Sequence, residues 1–242
     1  MTSQTSALAL NGVSRDYQVG GETIHALRST DLELAAGQLV GILGPSGSGK
    51  STLLTIMGGL RTPSTGTVTI GGEPFSELPE RARARLRRKH LGFVLQASGL
   101  VPFLTLLDQF ALYDRVVRRR GDKARRDHLL EALDLGHRTR SYPEGLSGGE
   151  RQRAAIAVAL YHDPDIILAD EPTASLDSAR AQEVARLLAE QTHEQGKATV
   201  MVTHDERLLP VCDTVLVMHD GELRESASHR ADHEPAPTAQ DG

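Results

Sequence analysis

The stretch GPSGSGKS, residues 44–51, places three glycines, a lysine and a serine in the spacing G-x-x-x-x-G-K-S. That pattern binds phosphate. Gly44, Gly47 and Gly49 let the backbone wrap closely around phosphate oxygens, so that N–H groups and the positive end of a following helix point at the anion. Lys50 can reach the β and γ phosphates, and the Ser51 hydroxyl can ligate Mg²⁺. An apolar run, LVGIL, precedes the loop and LLTIMGGL follows it. A buried strand before and a helix after are the context the motif requires.

Asp170 and Glu171 close another apolar run, IILADE. Alone they read as acids capping a strand exit. In one parallel sheet with the loop, both strand ends meet on the same carboxyl edge. Asp170 would then hold Mg²⁺ through its water shell, and Glu171 would polarise an attacking water. His204 ends ATVMVTH and would share that edge, within reach of a γ phosphate, although a lone histidine there is usually structural. Gln96 ends LGFVLQ and offers an amide to water or metal. Tyr17, in VSRDYQVG, either packs on its sheet or stacks on a base.

A second glycine pair opens a helix at LSGGERQR, residues 146–153. Ser147 with Glu150 forms a capping box. Gly148 and Gly149 are not explained by capping, because interior helical glycine costs about 1 kcal/mol relative to alanine. Bare glycines suit the close approach of an anion to the positive helix end. The chain's own loop already encloses one side of its nucleotide, so this helix start is expected to serve the nucleotide of a second copy, in a head-to-tail dimer.

These residues must be positioned by strands. Residues 7–11, 39–43, 67–72, 91–96, 165–172, 198–204 and 214–223 read as strands, 80–90 as a basic helix and 97–163 as a helical block. Strands separated by helices, with glycine turns at strand exits, give an α/β fold: a mostly parallel sheet, a small antiparallel part and an inserted helical subdomain. The divisions expected are a core at about 1–96 and 164–224, the helical subdomain at about 97–163, and a polar, disordered tail at 225–242. The 242 residues carry a formal charge of −5, with 3% aromatics, so general nucleic-acid binding is not expected. The single cysteine, Cys212, allows no internal disulfide. No apolar stretch approaches the ~18–20 residues of a membrane span, so membrane action needs another chain.

Taken in order, GPSGSGKS, Gln96, LSGGE, IILADE, SLD at 175–177 and His204 resemble the ATP-binding subunits of ABC transporters over residues ~7–224. The resemblance implies a P-loop ATPase with ATP as substrate and Mg²⁺ as cofactor. It implies that Gly44, Pro45, Ser46, Gly47, Ser48, Gly49, Lys50, Ser51 and Thr52 form the phosphate loop and that Tyr17 stacks adenine. Gln96 would link Mg²⁺ to the membrane partner, and Ser147, Gly148 and Gly149 would contact the opposite ATP. Asp177 would cross the interface, Glu171 would be the catalytic base, and His204 would sense the γ phosphate. Glu150 stands where many members have glutamine. The implied partners are a second copy and an integral-membrane permease, in two copies, with this subunit on the cytoplasmic face of the cell membrane.

LGFVLQ, LSGGERQR and LADEPTASLD resemble the subgroup of lipoprotein-releasing and macrolide-exporting ATPases. LVPFLT at 100–105, ADEPTASLD at 169–177 and THDERLL at 203–209 are similar to the ATPase of Hrt-type haem exporters, which implies haem efflux; other cargo (lipoprotein, macrolide or peptide), or gating of a membrane partner without transport, are the alternatives. No residue here shows haem binding, and His229 and His233 lie in the polar tail. No C-x-x-C or H-E-x-x-H occurs, so no structural zinc is expected. The apolar stretch 98–113 is expected to divide between subdomain core and a groove for a permease helix. The six basic residues of 81–89 read as a solvated helix face or as a surface near anionic headgroups.

Overall fold

A computed structural model describes residues 6–226; the expectations for His229, His233 and the tail beyond 226 lie outside the described residues. Two sheets form. The first is antiparallel, in the order β2 (Glu22–Leu34), β1 (Leu8–Val19), β4 (Thr65–Ile70), β5 (Glu73–Pro74). The second has the order β10 (Glu222–Glu225), β9 (Thr214–His219), β3 (Leu39–Leu43), β8 (Ala198–Val202), β7 (Ile166–Asp170), β6 (Leu91–Val94). All its pairings are parallel except β10 with β9.

Period-two alternation sorts the second sheet's side chains into two cores. Val40, Ile42, Leu168 and Val200 face the first sheet's Leu8 and Leu10, with α1 (Lys50–Met57) between through Leu53, Ile56 and Met57. Leu39, Ile167, Ala169 and Met201 face the other way, onto α5 (Gly148–Leu160) and α6 (Ser178–His193). The same core extends to α3 (Leu106–Val117) and α4 (Lys123–Ala132), which lie in the helical block with no strand between residues 97 and 163. The basic helix α2 runs Glu80–His90, as its sequence predicts.

Three expectations need correction. The strand expected at 7–11 continues to Val19 and returns as β2, through a turn with positive φ at Gly20 and Gly21 (61° and 89°). The single strand expected at 214–223 is two, folded back at Asp220–Gly221. Gln96 and His204 lie two residues past their strands rather than on them, because β6 ends at Val94 and β8 at Val202.

Candidate nucleotide site

The loop after β3 turns through left-handed backbone at Gly44, Gly47 and Gly49 before α1 begins. A Cβ on Gly44 would stand 2.1 Å from the Met218 carbonyl oxygen, and one on Gly49 2.4 Å from that of Ala26. These two glycines let the loop nest between β9 and β2. Gly47 has open space instead, with nothing within 4 Å of an added Cβ. The Lys50 ammonium folds over the loop, donating to the Gly44 and Pro45 carbonyls at 2.7 Å each. Gly44, Pro45 and Ser48 belong to the same loop; the Ser48 hydroxyl is buried without a partner among the described residues.

A cavity of about 420 Å³ opens above this loop. Ser46, Gly47, Gly49, Lys50, Ser51 and Thr52 line it from one side, and Gln96, Asp170, Glu171 and His204 from the carboxyl edge of the sheet. Thus eight of the polar candidates named from the sequence, Ser46, Lys50, Ser51, Thr52, Gln96, Asp170, Glu171 and His204, share one space. Ala26, on the strand β2 that sequence reasoning missed, also lines it; its only signal was the Gly20–Gly21 turn.

The Ser51 hydroxyl donates to Asp170 Oδ2 at 2.9 Å, joining α1 to β7. With the Gln96 amide in the same cavity, the donors are hydroxyl, carboxylate and carbonyl oxygen. That hard-oxygen set fits Mg²⁺. Glu171 sits in left-handed backbone, φ 48°, pinned by its N–H to the Val202 carbonyl at 2.9 Å. Such backbone in a non-glycine residue is costly and marks sites where a side chain must be aimed.

Ser147 and Glu150 form the expected capping box: Ser147 Oγ accepts from the Glu150 N–H and Glu150 Oε2 from the Ser147 N–H. The Ser147 backbone, followed by Arg138 at 2.7 Å, holds the Glu150 carboxyl down to about 2. Gly149 has a second, internal reason to be glycine, since a Cβ would lie 3.2 Å from Leu176. None of residues 147–150 lines the cavity. Asp177 caps its own helix, accepting from the Ala179 and Arg180 N–H groups, which lowers its pKa. Tyr17 is absent from the cavity wall; the Arg15 guanidinium lies 4.8 Å from its ring centre and its hydroxyl accepts from Arg61.

A strand–glycine loop–helix cradle facing a carboxylate pair across a parallel sheet defines a P-loop nucleoside triphosphatase. The ABC transporter family matches residues 27–174. The lipoprotein-releasing system ATP-binding protein LolD of Pseudomonas fluorescens is 43% identical over 223 residues, covering 91% of this chain and 98% of its own length. LolD 2 of Caulobacter vibrioides is 43% identical over 218 residues, 89% of this chain and 96% of its own. Among solved structures, the dimeric bacterial ABC transporter cassette MJ0796 superposes with a TM-score of 0.84 at 36% identity, over 90% of this chain and 98% of that one. A post-hydrolysis dimer of the same cassette with ADP and Pi gives the same values. The chain belongs to the ABC transporter ATP-binding family and is an ATPase. The relatives named are lipoprotein-release subunits, so the expected likeness to a haem exporter gains no support from them.

Proposed function

We propose that this chain hydrolyses ATP in a pocket completed by a second copy of itself, and that closure of the pair drives a separate membrane permease that exports its cargo. The observation that carries this reading is the position of Ser147, Gly148 and Gly149. They lie outside the cavity shared by Lys50, Asp170 and Glu171, and the Gly148 and Gly149 N–H groups have no acceptor among the described residues. A second copy brings a phosphate to them. The dimeric state of the solved relative supports the same arrangement.

Lys50 and the loop N–H groups hold the phosphates, and Tyr17 receives the adenine. Ser51, Asp170 and Gln96 would hold Mg²⁺, which neutralises charge building on the transferred phosphoryl group. Glu171 accepts a hydrogen bond from the attacking water and orients it, while His204 holds Glu171 and meets the γ phosphate. Asp177, beside α5 through Leu176, faces the partner. In this reading the core at about 1–96 and 164–224 binds nucleotide, and the helical subdomain at about 97–163 swings with it to move the permease. No helix among the described residues is long and apolar enough to cross a membrane, and we place the subunit at the cytoplasmic face through its permease. The apolar stretch 98–113 supports the docking role: Leu106 and Phe110 are buried, whereas Phe103 is 76% exposed.

For cargo, the LolD relatives favour lipoproteins; the haem reading rests on residues 100–105, 169–177 and 203–209 alone. Mixing two inactive variants tests the shared pocket. Lys50→Ala removes one half and Ser147→Arg blocks the other, so a mixed pair has one intact site. Recovery of ATPase activity in the mixture supports sharing; a mixture as inactive as its components counts against it.

A further inference from the structure

Between α2 and the C-terminal half of α3 the surface opens into a cavity of about 510 Å³. Arg85, Arg88 and Lys89 of α2 and Arg118 and Arg119 beyond α3 line it, and no carboxylate among the described residues does. The basic residues of α2 divide by direction. Arg83 and Arg87 turn back onto Glu80 and onto the Ser76 and Gly59 carbonyls. Arg119 pairs with Asp114 at 3.0 Å. Arg85, Arg88, Lys89 and Arg118 have no ion pair or side-chain hydrogen bond among the described residues. Four like charges held around one cavity repel one another, and a partner of opposite charge removes that cost.

The rest of the wall is apolar and stiff. Tyr113 donates to the Arg88 carbonyl at 2.8 Å and stacks on His162, which fixes α3 against α2. Leu112 (39% exposed) and Val116 (53% exposed) lie one turn apart on α3 and form an outward stripe beside the cations. A phosphate group would use the cations and leave the stripe unused. A helix with carboxylates flanking an apolar row uses both.

We propose that the segment of the membrane partner received here is an acidic amphipathic helix. Its carboxylates meet Arg85, Arg88, Lys89 and Arg118, and its apolar row covers Leu112 and Val116. The inference rests on the permease reading above and specifies the chemistry of the contact.

The test uses the full chain co-expressed with its membrane permease, purified in detergent, with wild type and the Arg85→Glu/Arg88→Glu variant compared. The variant is expected to lose about tenfold or more of the complex while the isolated subunit keeps its basal ATPase rate. Arg85→Gln/Arg88→Gln is expected to lose less. Reversal of an acidic residue in the permease's cytoplasmic helix to arginine is expected to restore binding to the Arg85→Glu/Arg88→Glu variant. Equal binding by wild type and variant overturns this inference alone. Failure of the wild-type chain to hold the permease overturns it together with the reading it rests on. If the variant keeps the permease but no longer sediments with phosphatidylcholine–phosphatidylglycerol vesicles that wild type binds, the cavity is a lipid site and the inference is overturned.

Discussion

Glu171 Oε2 and His204 Nδ1 stand 2.9 Å apart across the ends of neighbouring parallel strands, β7 and β8. Glu171 is largely shielded, with 14% of its side chain exposed, whereas His204 is 72% exposed. The shielded carboxylate suits a water-orienting group, and the exposed imidazole suits a group that meets the nucleotide as the pocket closes. Glu171→Gln keeps the shape and removes the charge. It is expected to lower kcat by about a hundredfold or more while leaving ATP affinity nearly unchanged. Single-turnover hydrolysis and equilibrium ATP binding measure the two effects separately.

His204→Ala removes the partner of Glu171 and leaves the carboxylate in place. A fall in kcat of roughly tenfold to a hundredfold is expected, since a displaced catalytic group is penalised without being lost. His204→Gln, which can still donate to Glu171, is expected to recover part of it. Steady-state ATPase rates of the three proteins decide this.

Gly58 closes α1 directly under β6. A Cβ there would stand 1.9 Å from the Phe93 ring. Gly58→Ala is therefore expected to cost about 1–3 kcal/mol of stability through overpacking. The denaturation midpoint should fall while the nucleotide cavity keeps its affinity for ATP.

His162 makes stability depend on pH. Its Nε2 bonds the Leu91 carbonyl at 3.1 Å, its Nδ1 is buried without a partner among the described residues, and burial holds its pKa down to about 4. An unfolded chain takes up this proton near pH 6.5 and the folded chain does so only near 4. The neutral ring thus supports the fold fully above pH 6.5, and that support is lost as pH falls from 6.5 through 4. The slope reaches at most about 1.4 kcal/mol per pH unit. Denaturant titrations at pH 7 and pH 5 should show a larger drop for wild type than for His162→Phe.

Spacing in the sequence located the polar wall of the cavity because each motif is local: a loop, a strand exit, a helix start. Long-range pairing hid the rest. β2 was missed because charged and exposed residues interrupt its few buried positions, Leu27, Thr30 and Leu34, and only Gly20–Gly21 marked the hairpin. The surroundings of Tyr17 depend on β1 pairing with β4, which carries the chain past Arg61. The division of α2 into inward and outward arginines follows from its docking on Gly59 and Phe75, and a count of six cations could not show it. The capping box was legible from Ser147 and Glu150 alone, yet the Arg138 contact that fixes Glu150 comes from a separate turn.

The pocket shared between two copies is tested most directly by the crystal structure of Glu171→Gln with ATP. The account predicts a head-to-tail pair in which each γ phosphate touches Lys50 of one copy and the Ser147 hydroxyl and the Gly148 and Gly149 N–H groups of the other. An ATP enclosed by a single chain, with residues 147–149 facing solvent, would contradict it.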